Sequence, residues 1–233
     1  GPYGLSLAAY LRRAGVAHRI FGSAMASWRT QMPTTMFLKS EGFASNLAQP
    51  DREMTLRDFC EESGYAYRDY GLPIPLHVFI KYGLAFQRHF APDLEDTVVS
   101  EIRRHDRGFA LLLGTGEQVL ARNVVIATGI DPYRYMPTAL AGLPSQLRSH
   151  TADHSDYSTF RGRRVCVIGT GASATDTAAA LRGVVQARRA GSRPLRPGPH
   201  LFRRAAAFPI PAGKSPPAHR CDVPRPARRL AGS

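Results

Sequence analysis

The chain has 233 residues, of which 43% are apolar, and a formal net charge of +13, an ordinary composition for a globular protein of one large domain or two small ones. Its three cysteines are widely spaced and form no C-x-x-C pair, which argues against a disulfide framework or a metal site. No apolar run is long enough to span a membrane and no signal peptide opens the chain, so a cytoplasmic location is expected.

The first predicted element is a helix at residues 5–13, where apolar residues recur at helical spacing, and residues 16–21 predict a short strand. Gly1 and Gly4 precede the helix in the positions of the second and third glycines of a dinucleotide-binding fingerprint whose first strand is missing. A helix followed by a strand is also common in other α/β proteins. Gly22 stands near the position where the fingerprint's ribose-binding acid is expected.

A long loop is predicted at residues 23–50. Its aromatic and methionine content argues against disorder, and Trp28 is interpreted as a core anchor within it. Thr55 is expected to cap a short helix at residues 56–63, and a second helix with a buried apolar face is predicted at residues 76–90.

An antiparallel meander is predicted next. Residues 97–104 alternate between apolar and polar side chains, and two glycine-containing turns separate the strands that follow. The last predicted strand, residues 123–129, ends in Ala-Thr-Gly, where the small side chains of Thr128 and Gly129 let the chain pass close to a cofactor. Residues 131–159 contain three prolines and are interpreted as a linker, with a domain boundary near Phe160.

The most informative stretch is residues 165–181, where an apolar strand ends in a glycine-rich turn and an alanine-rich helix follows. Gly169 permits the tight turn, and Gly171 lets the backbone approach a pyrophosphate. Ala174 is the third small residue, which the helix needs in order to pack on the strand, and the helix N-terminus offers N–H groups to phosphates. The alternative is a plain strand–helix turn.

The C-terminal stretch differs in composition. Residues 182–233 hold 12 of the 31 Lys and Arg residues, nine of the 18 prolines and a single acid. Arg188 and Arg189 lie near the position where an NADP-specific domain places an arginine for the 2′-phosphate. Beyond them the sequence loses periodicity, as expected of a GC-rich gene translated out of frame, with a disordered tail as the alternative.

The order of these motifs resembles that of the flavoprotein monooxygenases with two dinucleotide-binding domains, a group that includes flavin-containing monooxygenases, N-hydroxylases and Baeyer–Villiger enzymes. The shared features are a start, Gly1-Pro2-Tyr3-Gly4, that matches the last four positions of G-x-G-P-x-G, an aromatic loop, a meander ending in A-T-G, and G-x-G-x-S-A. The His150-Thr151 pair matches the end of the group's linker signature F-x-G-x-x-x-H-[ST], but Pro144 and Gln146 replace its aromatic residue and glycine. The related disulfide reductases rely on a redox cysteine pair, which this sequence does not show.

The resemblance implies an α/β fold with two Rossmann-like domains, both incomplete, and a β-meander. Residues 1–160 would form an FAD-binding domain lacking its first strand, residues 161–190 the start of an inserted NAD(P)H-binding domain, and residues 191–233 the Arg/Pro-rich tail. Gly1 and Gly4 would contact FAD. NADPH, or NADH as an alternative, would be bound by Gly169, Gly171 and Ser173.

The resemblance also implies a reaction. NADPH reduces the flavin, and a peroxyflavin then oxygenates a small molecule, so the protein's part is orientation and exclusion of water. We hypothesise that Lys39, Ser40 and Asn46 line the flavin face; no catalytic triad or carboxylate pair is required. A non-catalytic nucleotide-binding remnant is the main alternative, and a basic nucleic-acid-binding protein is disfavoured because the Arg residues lie in a stretch without periodicity.

Overall fold

A computed structural model describes residues 1–182 and Val184, which lie within one compact unit, residues 1–187. The described chain combines helices with one antiparallel sheet. The helices are α1 (Pro2–Arg13), α2 (Ala26–Thr30), α3 (Leu56–Glu62), α4 (Leu76–Phe90) and α5 (Ala172–Arg182). The strands are β1 (Val99–His105), β2 (Gly108–Leu113) and β3 (Gln118–Ala121). None of these helices is long and apolar enough to cross a membrane.

The core lies between α1 and α4. The first helix buries Leu5, Ala8 and Ala9, the apolar positions that predicted it. The fourth helix begins after Pro75 and buries a stripe of side chains at helical spacing: Val78, Phe79, Tyr82 and Phe86. Both predicted helices are confirmed, since their amphipathic patterns are local and leave one apolar face to bury.

The predicted core role of Trp28 is also confirmed. Its ring packs edge-on against Phe79 with centroids 4.7 Å apart, and the residue contacts the buried cluster. Gly83 faces the same region, where a Cβ atom would lie 2.6 Å from the sulfur of Met25. The loop at residues 23–50 is therefore held by its apolar side chains, with the short helix α2 and a 3-10 turn at Gly42–Ala44 as its regular structure.

The predicted meander is confirmed as a three-stranded sheet in the order β1-β2-β3. Arg104 pairs with Phe109 and Ala110 with Leu120, and the register shifts between Val99 and Glu101. Asp106 has φ 38° in the first turn, and a Cβ atom on Gly108 would lie 2.4 Å from the carbonyl oxygen of Ala121. Only glycine allows that approach of the strands.

Three predicted strands are wrong in the described chain. Residues 16–21 contribute one isolated parallel bridge, between Phe21 and Glu95. Residues 123–129 and 165–168 are extended without a ladder, and Val125, Ile126 and Ile168 are 67%, 70% and 64% exposed. A parallel strand forms only where its backbone groups find neighbours. In the described chain residues 16–21 have only Glu95 beside them, and residues 123–129 and 165–168 form no backbone ladder.

The predicted linker, residues 131–159, contains a series of 3-10 turns with no longer element. His150 begins one of them at Thr151–Asp153: its Nδ1 atom accepts from the Ala152 amide, and its own amide donates to Asp153. That hydrogen bond from the His150 backbone lowers the pKa of the Asp153 carboxyl, with Arg134 adding to the effect. His150 therefore has a structural role as a cap in this linker.

Candidate functional site

The glycine-rich turn adopts the conformation that its sequence predicts. Gly169 has φ 144°, a conformation that L side chains rarely adopt, and a Cβ atom there would lie 3.1 Å from the Cβ of Ala174. The carbonyl of Gly171 accepts hydrogen bonds from the amides of Ala174 and Thr175, at 3.0 and 3.2 Å, and so starts α5. The amides of the first turn that precede Ala174 have no hydrogen-bond partner within the helix, so they can donate to a bound anion.

Two side-chain contacts fix α5 to the rest of the described chain. The hydroxyl of Tyr157 lies 3.0 Å from the hydroxyl of Thr177, and both residues are buried. On the exposed side, the Nζ atom of Lys39 donates to Asp176 at 2.8 Å. The orientation of the glycine turn is therefore set by residues far from it in sequence.

Gly4, the second glycine of the first pair, lies against the Ala-Thr-Gly segment. Gly1 is the N-cap of α1, and a Cβ atom on Gly4 would lie 3.4 Å from the Cβ of Ala127. The next residues along the chain are Thr128 and Gly129, and Gly129 has φ 78°. The first turn of α1 thus lies beside Ala127, and the small residues there leave room for close backbone approach.

The ribose position differs from the fingerprint. Gly22 has φ 114°, and its amide donates to the carbonyl of Glu95. The Glu95 carboxylate pairs with Arg19 at 2.6 Å, and this hydrogen bond lowers the pKa of Glu95. No acidic side chain at Gly22 is available for a ribose, so the residues fit the pyrophosphate part of a dinucleotide better than its ribose.

The three residues hypothesised to line the flavin face have other partners in this structure. Lys39 pairs with Asp176, and the hydroxyl of Ser40 lies 2.8 Å from that of Ser45. Asn46 donates to the carbonyl of Phe43 at 2.8 Å and accepts from the amide of Leu56 at 2.7 Å. Asn46 thereby fixes the loop to the first residue of α3, and its role toward a flavin stays a prediction.

Arg188 and Arg189 lie outside the described residues. Sequence analysis missed Asp176, Tyr157 and Thr177, which hold α5 in place. The sequence does offer a hint for Asp176. It is the one charged residue of the alanine-rich helix before Arg182, so an ionic partner for it could be expected. The Tyr157–Thr177 pair has no such signal, since neither residue type at that spacing predicts contact.

Parts of this chain are similar to known proteins. Residues 81–185 match the family described as pyridine nucleotide-disulphide oxidoreductase. Over 104 residues the chain is 35% identical to an FAD-dependent urate hydroxylase from Xanthomonas campestris pv. campestris, a match that covers 42% of this chain and 20% of that protein. The family match and the hydroxylase match each cover less than half of this chain.

Two solved structures share the fold of this chain. A flavin-containing monooxygenase from Stenotrophomonas maltophilia aligns with a TM-score of 0.62 and 23% identity, over 79% of this chain and 53% of that one. A mutant flavin monooxygenase from the same organism aligns with a TM-score of 0.55 and 20% identity, over 79% and 53% of the two chains. The predicted fold class is confirmed. The chain spans about half the length of these structures and about a fifth of the hydroxylase.

Proposed function

We propose that this protein is an FAD-dependent, NAD(P)H-consuming monooxygenase acting on a small molecule and molecular oxygen. The observation that carries the proposal is the contact between Gly169 and Ala174 at the start of α5, which leaves a helix N-terminus open to a pyrophosphate. The family match over residues 81–185 supports a pyridine nucleotide as the ligand.

The residues proposed to hold each cofactor form two sets. Gly1, Gly4, Thr128 and Gly129 would hold FAD where α1 meets the Ala-Thr-Gly segment. Gly169, Gly171, Ser173 and Ala174 would hold NADPH at α5. When bound, the two cofactors would supply the redox chemistry, hydride from NAD(P)H and oxygen activation by the flavin. The chain's own part is to bind and orient them, and the link from Lys39 to Asp176 connects the loop proposed for the flavin with the nucleotide helix.

The cysteines support the monooxygenase branch over disulfide reduction. Cys60 is buried in α3, where burial raises the pKa of its thiol, and Cys166 is exposed beside the glycine turn. They are free and lie on separate elements, so the described chain has no vicinal pair for thiol exchange.

The experiment is to load the protein with FAD and add NADPH without oxygen while following the visible flavin absorbance. We expect loss of the oxidised flavin band, its return when oxygen is admitted, and faster NADPH consumption when a substrate is present. Urate is the first substrate to test, because one relative is a urate hydroxylase. Equal affinity for NADH and NADPH would contradict the proposed role of Arg188 and Arg189 toward the 2′-phosphate.

A second function, nucleotide binding without catalysis, is favoured by a specific observation. Residues 123–129 and 165–168 are not strands in the described chain, and four of their apolar side chains are exposed: Val125, Ile126, Val165 and Ile168. The parallel sheet that would support FAD is therefore not formed there. This alternative predicts NADP⁺ binding with no reduction of added flavin by NADPH.

A further inference from the structure

A groove separate from both glycine turns lies between α1, the loop that precedes α3, and residues 67–69. Its volume is about 540 Å³, within the range of small-molecule sites. Tyr10 of α1 lines it together with polar residues of the loop and of α3. Of the residues proposed to contact the flavin it includes Asn46, whose amide oxygen and nitrogen both bind backbone groups.

Gln49 gives the groove an amide donor that has no partner within residues 1–182. The residue is 6% exposed and lines the groove, and its Oε1 atom accepts from the amide of Asp51 at 3.0 Å. Within residues 1–182, no acceptor bonds its Nε2 group. The Nε2 group is not sealed from solvent, so it can donate to a ligand in the groove that brings an acceptor atom.

Arg52 gives the groove a free positive charge. It has φ 53°, unusual for a residue other than glycine, and in the described part of the chain its guanidinium makes no ion pair. The neighbouring acid, Asp51, is paired instead with Arg13 at 3.0 Å. Strained backbone of this kind is often retained where it positions a functional side chain.

The second arginine of the groove is already neutralised. Arg57 forms an ion pair with Asp69, and its guanidinium lies 5.5 Å from the ring centroid of Tyr67. The Tyr67 hydroxyl also donates to Asp69 at 3.0 Å, and Arg57 lowers the pKa of the Asp69 carboxyl. The lining arginines and the aspartate therefore leave one net positive charge, that of Arg52.

The remaining walls are apolar and aromatic. Phe43, Leu47 and Met54 line the groove beside the tyrosines. Flat apolar surface next to one cation and one amide donor matches a molecule with a planar ring and a single anionic acceptor group. A free inorganic anion would satisfy the charge but would not use the apolar walls.

We propose that this groove binds a small aromatic carboxylate, with the carboxylate on Arg52 and Gln49 and the ring against Phe43 and Met54. The site goes beyond the proposed redox function and needs neither cofactor. Benzoate serves as the probe in ligand-observed NMR titrations, with acetate and benzyl alcohol as ligands that lack the ring or the charge.

Two variants test the residues that carry the proposal. Arg52→Gly removes the cation, and because glycine favours a positive φ, it should leave the fold intact. Gln49→Glu keeps the acceptor for the Asp51 amide and replaces the free donor with a negative charge. Arg104→Gln removes an exposed arginine of β1 that does not line the groove and is the charge control.

We expect saturable benzoate binding by the wild type and by Arg104→Gln, about tenfold weaker binding by Arg52→Gly and Gln49→Glu, and weaker binding of acetate and benzyl alcohol. Thermal melts should show all variants folded. The proposal is overturned if benzoate does not saturate the wild type, if the two groove variants bind as well as the control, or if acetate binds as tightly as benzoate. A failure here leaves NADP⁺ binding at α5 unaffected, so it is distinct from a failure of the proposed function.

Discussion

Gly169 and Ala174 approach so closely that a Cβ atom on the glycine would stand 3.1 Å from the Cβ of the alanine. That distance is shorter than an ordinary side-chain contact. The first turns of α5 therefore pack directly on the glycine turn. The two small residues therefore define the geometry of the proposed pyrophosphate site.

Replacing Ala174 by valine should disrupt the packing of α5 on Gly169. The added methyl groups would meet the Gly169 backbone, and we expect a loss of about 1–3 kcal/mol in the free energy of unfolding, measured by denaturant titration. Ala178→Val, on the exposed part of the same helix, carries the same change in helix propensity without the contact. Equal losses in the two variants would show that the contact with Gly169 contributes nothing.

The Tyr157 and Thr177 hydroxyls should behave as a coupled pair. Each single change, Tyr157→Phe or Thr177→Val, leaves a buried hydroxyl without its partner and should cost about 1–2 kcal/mol. The double variant should cost less than the sum of the single ones, because no unpaired group remains. Denaturant titrations of all four proteins measure the coupling, and strict additivity would mean that the hydrogen bond is not formed.

The Gly83→Ala substitution should have two opposite effects on stability, a gain from helix propensity and a loss from overpacking. Alanine would favour α4 by about 1 kcal/mol, but its methyl would meet the Met25 side chain, which is fully buried and whose Sδ, Cε and Cγ atoms lie within 2.8 Å of the Cβ position. Overpacking costs typically 1–3 kcal/mol, so we expect net destabilisation in thermal melts. In a Met25→Ala background the same change should become neutral or stabilising; if it stays equally destabilising, the clash is elsewhere.

The start of α3 should contribute a pH-dependent part of the stability. The Thr55 hydroxyl donates to the Asp58 carboxylate at 2.6 Å and, with the Thr55 amide, lowers the carboxyl's pKa. Because the folded pKa lies below the unfolded value, this contribution is full above about pH 4 and is lost as the pH falls through the folded pKa.

Thr55→Ala should cost about 1 kcal/mol near neutral pH and less under acid conditions. Thr55→Ser keeps a capping hydroxyl and should behave like the wild type at every pH. Denaturant titrations across the acid range measure the difference, and a cost for Thr55→Ala that is the same in acid would show that Asp58 does not depend on this cap.

Sequence analysis predicted the helices well because their signals are local. The apolar stripe of α4 and the cap at Thr55 need only residues within a few turns. The strands at residues 16–21, 123–129 and 165–168 were not predictable in the same way, because apolar composition does not say whether a neighbouring strand is present to bond the backbone.

In the candidate site, too, local features were predictable from the sequence and long-range contacts were not. The close contact of Gly169 with Ala174 followed from their spacing in one motif. The Lys39–Asp176 ion pair joins residues 137 positions apart, so no pattern in the sequence could reveal it. Gln49 and Arg52 were missed because an unpartnered donor and a positive φ are visible only in three dimensions.

The most direct test of the proposed nucleotide site is a calorimetric titration of the protein with NADP⁺, repeated with Gly169→Ala and Gly162→Ala. Both glycines have positive φ, at 144° and 73°, but a Cβ atom on Gly162 meets nothing within 4 Å. We predict saturable binding by the wild type and by Gly162→Ala, and at least about tenfold weaker binding by Gly169→Ala. No binding by the wild type, or equal affinity in all three proteins, would contradict a dinucleotide site at the start of α5.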